Sequence, residues 1–185
     1  MRTFRQPSST FSPYDTGGLL LKSDVSTPAR ATAVRMEDEI RRDDAETGVF
    51  ISASGQVLLR RTGQRNRVSF LPGELLQMRG TTFTHNHPGG SPFSFEDVLL
   101  ASEYGLLEMR VVDSRFRHIT NALPLLSEKS LRRAYDLQMR RISHTVEQAV
   151  RMGHLHPADF NAELLHLVWI KLARQFGFQY RRERS

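Results

Sequence analysis

The chain of 185 residues contains no cysteine, which excludes disulfide bonds and thiolate metal sites. Any bound metal ion must therefore be held by histidine and carboxylate side chains. The chain also lacks the apolar run of about 18 residues that a membrane-spanning helix needs, because His166 and Lys171 interrupt the longest candidate. The first residues are basic and then rich in serine, proline and glycine, so we predict no secretory signal and expect a cytoplasmic location.

Acidic residues are fewer than basic residues, 20 against 26. The formal net charge is +6, and 23 of the 26 basic residues are arginine. Such an excess can attract nucleic acid or another anionic surface, but a high arginine content can equally reflect genome composition. The sequence has no recognised nucleic-acid-binding motif and no stripe that mixes aromatic and basic residues. Nucleic-acid binding therefore stays an alternative that rests on charge alone.

Composition divides the chain into three segments. Residues 1–30 are rich in proline, serine and threonine, which indicates an extended or disordered arm whose leucine cluster at 19–21 could anchor it on a protein partner. Residues 31–122 alternate short helical and strand patterns and form the predicted domain. Residues 123–185 carry two long helical patterns, which predict a C-terminal helical hairpin packed on the domain or on a partner. We expect residues 181–184 to be a solvated end.

The predicted domain belongs to the α+β fold class. Its patterns follow the order helix, hairpin, helix, strand, helix, hairpin, which favours a mixed, mostly antiparallel sheet with flanking helices. The clearest hairpin joins strands at residues 49–53 and 56–60 through a two-residue turn, Ser54-Gly55. A second hairpin is predicted from residues 108–113 and 116–120.

The strongest chemical pattern lies at the end of the single predicted strand. His85 and His87 are one residue apart on this strand, so both imidazoles point to the same face and could share one metal ion. The turn-forming residues 88–92 follow directly. Ser94 then begins a helix in a capping-box pattern that places the Asp97 carboxylate in the first turn. The chain thereby returns a carboxylate to the two imidazoles.

Two neutral imidazoles and one carboxylate form a ligand set that suits Zn²⁺ and leaves a fourth position for water. Bound zinc lowers the pKa of water to about 7, so the remaining requirement is a general base. The capping box alone also explains Ser94 and Asp97 without any metal. A second histidine pair with the same spacing, His154 and His156, lies between two predicted helices and is expected in a surface loop.

These residues resemble the motif of the JAMM (MPN+) zinc metalloprotease superfamily, and the sequence His-Asn-His-Pro is similar to that of the bacterial RadC proteins. The resemblance covers roughly residues 44–120, with six residues between His87 and Ser94 where the family pattern has seven. The same motif together with residues 105–111 is also similar to the C-terminal domains of phage minor head proteins. The resemblance implies a fold like that of JAMM proteins and cytidine deaminases, bound zinc, and hydrolysis of a peptide or isopeptide amide bond.

The resemblance also implies roles for single residues. His85, His87 and Asp97 would hold the zinc ion, and Ser94 would help to stabilise the oxyanion or to position the attacking water. Glu46 precedes a glycine-containing apolar strand, as the family glutamate does, and would be the general base. Four other carboxylates of the same segment remain alternatives for the base: Glu37, Glu39, Asp43 and Asp44.

Two functions without hydrolysis stay open. The shortened spacing favours an inactive JAMM-like module that serves in structure or assembly, associated with a virion if the protein is phage-encoded, because a ligand displaced by about 1 Å can lower a rate about 100-fold. The other is a RadC-like protein associated with nucleic acid. We therefore expect a protein or peptide as substrate or docking partner, with nucleic acid as the charge-based alternative and no membrane.

Overall fold

The structure, a computed structural model, describes residues 22–185. Its helices are α1 (Pro28–Ile40), α2 (Pro72–Gln77), α3 (Phe95–Glu103), α4 (Glu128–Arg151) and α5 (Phe160–Phe176), and a short 3-10 helix, Pro157–Asp159, precedes α5. Its strands are β1 (Thr47–Ile51), β2 (Val57–Thr62), β3 (Thr82–Asn86), β4 (Glu108–Val112), β5 (Phe116–Asn121) and β6 (Gln179–Arg184).

The six strands form one sheet in the order β2-β1-β3-β4-β5-β6. Only β3 and β4 are parallel, and the other neighbouring pairs are antiparallel. The larger core lies between the sheet and helices α3, α4 and α5, whereas α1 packs on the other face against β1 and β3. The predicted α+β class, with a mixed, mostly antiparallel sheet and flanking helices, is therefore confirmed.

Strand β3 directs its side chains alternately to these two faces, as extended backbone requires. Phe83 belongs to the larger core, and the ring of His85 stacks on it with centroids 5.0 Å apart. Thr84 points the other way, and its hydroxyl donates a hydrogen bond to Glu37 of α1 at 2.9 Å. The two histidines of the motif therefore lie on the α3 side of the sheet.

The expectation that residues 181–184 form a solvated end is wrong. These residues belong to β6, which pairs with β5 along its whole length. Arg182 and Glu183 are buried, and the guanidinium of Arg182 donates to the Glu163 carboxylate of α5 at 2.9 Å. The charged composition of these residues gave no strand pattern in the sequence. Their burial is possible because charged partners from other elements neutralise them. Residues 123–185 thus supply a strand to the domain's sheet in addition to two packed helices.

Two other boundaries differ from the prediction. Helix α1 begins at Pro28, inside the predicted arm, because the Thr27 side chain caps it by accepting the Arg30 N–H. The β1–β2 connection spans residues 52–56 and is longer than a two-residue turn, and the strand register shifts between Phe50 and Ile51. The leucine cluster at 19–21 lies outside the described residues. Among the helices of residues 22–185, none combines the length and apolar character that crossing a bilayer requires.

A group of buried polar side chains lies between β5, β6 and α5. His118 Nδ1 is 3.0 Å from the Tyr180 hydroxyl, and His166 Nδ1 is 2.8 Å from the same oxygen. His118 Nε2 lies 3.6 Å from a carboxylate oxygen of Asp113. Burial lowers the pKa of His118 to about 4 despite this carboxylate, and the charges of His166 and Arg182 act in the same direction as burial.

We expect this buried histidine to make the fold sensitive to acid. A histidine whose pKa is lower in the folded state stabilises the fold fully above its unfolded pKa of about 6.5, and this stability is lost as the pH falls toward about 4. The difference corresponds to about 3 kcal/mol of unfolding free energy. Urea unfolding between about pH 7 and pH 4 should show a smaller loss of stability for His118→Gln than for the wild type.

The matched control is His144→Gln, because His144 is exposed on α4. This variant should lose as much stability as the wild type over the same pH range. An equal loss in His118→Gln and the wild type would show that His118 is not the group whose protonation destabilises the fold.

Candidate metal centre

The topology of the sheet brings the motif residues together at the C-terminal end of β3. His85 lies in this strand, and His87 directly follows it. Strand β1 runs antiparallel to β3 with Gly48 opposite His85, so the residue before β1, Glu46, lies beside the same strand end. Asp97 reaches the site from the first turn of α3. The four side chains thus come from three elements that meet at one corner of the sheet.

The distances between the ligand atoms suit one small cation. The Nε2 atoms of His85 and His87 are 3.1 Å apart. One Asp97 carboxylate oxygen lies 3.6 Å from His85 Nε2, and the other lies 3.6 Å from His87 Nε2. A tetrahedral zinc ion with bonds of about 2.0–2.1 Å separates its ligand atoms by about 3.3 Å. Glu46, His85 and His87 also offer ligand atoms within 4.8 Å of one another, so this cluster could hold a metal ion.

The turn after β3 fixes the orientation of His87. Its Nδ1 atom is 3.0 Å from the Ser91 carbonyl oxygen and 3.1 Å from the Pro92 carbonyl oxygen. Because carbonyl oxygens only accept hydrogen bonds, Nδ1 carries the proton and Nε2 keeps its lone pair for a ligand. Burial, followed by the charge of His85, lowers the pKa of His87, which favours the neutral imidazole that metal binding requires.

Asp97 is both a capping residue and a neighbour of the imidazoles. The Ser94 N–H donates to Asp97 Oδ2 at 2.7 Å, and the Asp97 N–H donates to Ser94 Oγ at 3.1 Å. Burial opposes ionisation of Asp97, but His85 and His87 together hold its pKa below the usual range. The capping interpretation and the metal interpretation are therefore compatible. Ser94 lines the cleft beside the cluster.

Among the carboxylates that the sequence offers as the base, Glu46 is the one that faces the two imidazoles. Glu37, an alternative for the base, lies beneath the opposite face of the sheet, where it accepts hydrogen bonds from Arg110 at 2.6 Å and Arg117 at 2.7 Å. Glu39 pairs with Arg60 at the surface. The other two alternatives are exposed and do not line the cleft: Asp43 and Asp44.

The pKa of Glu46 is raised. Burial is the largest cause, and the negative charge of Asp97 adds to it, while His87 and a hydrogen bond from the Val68 N–H oppose the shift. A carboxyl group with a raised pKa is a better proton acceptor than an ordinary surface glutamate. The environment of Glu46 therefore suits proton transfer.

Asn86 holds the backbone on both sides of Glu46; strand alternation predicts a turn or core hydrogen-bonding role for this side chain, but the sequence does not identify its partners. Its side-chain oxygen accepts the Thr47 N–H at 2.7 Å, and its amide nitrogen donates to the Ala45 carbonyl at 3.1 Å and the Asp43 carbonyl at 3.3 Å. The only signal in the sequence is strand alternation, which places Asn86 on the face opposite to the imidazoles. The contact partners are about 40 residues away in the chain and follow no local pattern.

The second ring nitrogen of His85 and the second histidine pair of the chain differ from the cluster in their contacts. His85 Nδ1 is buried and has no hydrogen-bond partner within residues 22–185, so no protein group in this range orients the ring from that side. His154 and His156 lie in the connection between α4 and α5, as predicted for a loop, and His156 Nδ1 accepts the Ala158 N–H. Within residues 22–185, Glu46, His85 and His87 form a cluster that could hold a metal ion, and the second histidine pair belongs to no such cluster.

The cluster opens into a cleft with a volume of about 530 Å³. Apolar side chains, among them Phe70 and Leu100, form one part of its lining, and the exposed residues 65–67 form another. The fold and the site together define an α+β protein with a candidate metal centre in an open cleft.

No protein-family model matches the chain, and no curated protein is significantly similar to it. The motif residues and the geometry of the site are therefore the basis on which a function can be assigned.

Proposed function

We propose that the protein is a zinc-dependent metallopeptidase or isopeptidase of the JAMM type, which hydrolyses a peptide or isopeptide amide bond. The observation that carries this proposal is the convergence of two Nε2 atoms, 3.1 Å apart, on the carboxylate of Asp97, whose oxygens lie 3.6 Å from them. Glu46 offers a further carboxylate within 4.8 Å of both imidazoles. This donor set matches catalytic zinc sites, in which three protein ligands leave one position open.

Asp97 is the third ligand in this proposal, and Glu46 is the base. The carboxylate of Asp97 is ionised and oriented by the Ser94 N–H, as a metal ligand should be. Glu46 has a raised pKa, which suits a group that must accept and release a proton. Two imidazole nitrogens and one carboxylate form a donor set that suits zinc. When bound, zinc would polarise the scissile carbonyl and lower the pKa of a water molecule.

Glu46 transfers the proton in this proposal, and Ser94 stabilises the oxyanion. The Glu46 carboxylate takes a proton from the attacking water and delivers it to the leaving amine. The hydrogen bond from the Val68 N–H to the Glu46 carboxylate opposes the rise in its pKa. The hydroxyl of Ser94 accepts the Asp97 N–H, which leaves its own proton free to donate to the oxyanion.

The experiment that tests this function uses a peptide mixture from a digested proteome, with new termini detected by mass spectrometry. Treatment with a chelator should abolish hydrolysis, and stoichiometric Zn²⁺ should restore it because the ligands are already in place. His87→Ala should stay inactive after zinc is added, whereas His144→Ala should behave as the wild type. Hydrolysis that survives chelation would refute the proposed activity, as would folded, zinc-loaded wild-type protein that hydrolyses neither these peptides nor a peptide joined through a lysine side chain.

A second candidate is a non-catalytic module of the same fold that serves in assembly. The observation that favours it is the unpartnered His85 Nδ1, because losing the partner that orients a ligand typically costs 10–100-fold in metal affinity or activity. A double variant, His85→Ala with His87→Ala, that leaves assembly unchanged would support this candidate if the zinc-loaded wild type hydrolyses nothing.

A further inference from the structure

The loop of residues 63–68, named here the basic loop, is attached to the backbone of Glu46. The Glu46 N–H donates to the Gln64 carbonyl at 2.8 Å, and the Gly63 N–H donates to the Glu46 carbonyl at 2.8 Å. The Val68 N–H donates to the Glu46 carboxylate. The position of this loop and the position of the proposed base are therefore set by the same hydrogen bonds.

The basic loop is a tight turn with a defined shape. The Gln64 N–H donates to the Arg67 carbonyl at 2.8 Å, so Arg65 and Asn66 form the tip. A Cβ atom at Gly63 would lie 2.2 Å from the Arg67 carbonyl oxygen, which is far inside van der Waals contact. Glycine at this position therefore allows the close approach that closes the turn.

The turn presents two arginines whose charge the described part of the chain does not neutralise. Arg65 and Arg67 are exposed and line the same cleft as Glu46 and the imidazoles. Neither forms an ion pair with a residue in the range 22–185, and Arg67 donates only to the Ser69 hydroxyl, at 3.0 Å. By contrast, the nearby Arg61 is paired with the Glu74 carboxylate at 2.7 Å.

An apolar wall lies beside the two arginines. Phe70 is half-buried, and its ring packs edge-on against Phe50 with centroids 5.0 Å apart and against Phe83 at 5.7 Å. Leu100 of α3 is also half-buried and lines the cleft. The cleft thus offers a cationic rim and a fixed apolar surface next to the candidate metal centre.

We propose that the basic loop recognises the substrate: Arg65 and Arg67 bind an acidic side chain of an extended peptide, and an adjacent apolar side chain lies against Phe70 and Leu100. Guanidinium groups bind carboxylates through paired charge-assisted hydrogen bonds, which gives geometric as well as electrostatic selectivity. This inference rests on the proposed function and names its substrate class, a peptide with acidic and apolar residues near the cleaved bond.

The test measures binding without cleavage. A fluorescent peptide of alternating glutamate and leucine, and the same peptide with glutamine in place of glutamate, are titrated by anisotropy into Glu46→Gln protein with and without Zn²⁺. The glutamate peptide should bind about 10-fold or more tightly than the glutamine peptide. Adding Arg65→Glu and Arg67→Glu should remove this preference.

The matched control places the same charge reversal elsewhere, at Arg140→Glu and Arg141→Glu on the exposed side of α4. This variant should retain the preference, because only the total charge has changed. Arg65→Gln with Arg67→Gln should lose the preference without introducing repulsion, and unfolding curves establish that each variant is folded. Equal affinity for the two peptides, or an equal loss in the control, would overturn the inference.

Nucleic acid is a separate outcome of the same titration. An oligothymidylate of matched charge that displaces the glutamate peptide at a lower concentration than unlabelled peptide would show a phosphate-binding surface and overturn the inference. The binding difference is measurable even in protein that hydrolyses nothing. Conversely, hydrolysis that zinc restores but that shows no preference for glutamate would contradict only the proposed substrate class. The proposed activity would remain intact.

Discussion

Glu46→Gln is expected to lower amide hydrolysis by about 10²–10⁴-fold while leaving the bound metal in place, because glutamine matches the shape of glutamate but cannot accept a proton. Glu46 lies beside the imidazoles and carries a raised pKa, so it is better suited to accept the proton of water than an ordinary glutamate. The lower rate is measured on the digested-proteome mixture. The unchanged metal content is measured on the same preparations.

The control for this variant is Glu39→Gln. Glu39 belongs to the same segment but pairs with Arg60 at the surface, with half of its side chain exposed, so its replacement should leave the rate unchanged. Hydrolysis at the wild-type rate in Glu46→Gln would remove Glu46 as the base. A loss of both metal and activity would instead show that Glu46 is the third ligand in place of Asp97.

The one-residue-shorter spacing does not keep Asp97 away from the imidazoles. The chain bends directly after β3, where the Gly90 N–H donates to the His87 carbonyl at 3.0 Å and Gly90 adopts a left-handed φ of 73°. Both carboxylate-to-imidazole distances are 3.6 Å, within a few tenths of an ångström of the separation of about 3.3 Å in a tetrahedral zinc site. A displacement of this size is smaller than the error of about 1 Å that would cost about 100-fold in rate.

Local patterns in the sequence predicted the features of this corner that depend on neighbouring residues. The spacing of His85 and His87 follows from strand alternation, and the Ser94 and Asp97 contacts follow from the capping box. The sheet class followed from the order of helical and strand patterns. Each of these inferences uses residues only a few positions apart, where chain geometry limits the possible arrangements.

Contacts between distant residues could not be predicted in the same way. The charged strand β6 is stabilised by pairing with β5 and by Glu163 of α5, so its own composition gives no strand signal. The hydrogen bonds of Asn86 to the backbone around Glu46 and the basic loop's attachment to the same residue depend on which strands become neighbours. The hydroxyl of Tyr180, between the rings of two histidines, is likewise a product of tertiary packing.

Metal content tests the central claim, that His85, His87 and Asp97 hold one zinc ion, most directly. Wild-type protein purified without chelator should contain about one zinc per chain, because the three proposed ligands would form a complete catalytic site. His87→Ala removes one of them and should contain almost none, while His144→Ala should match the wild type. Folded wild-type protein that binds no zinc, or His87→Ala protein that keeps one zinc per chain, would contradict this account.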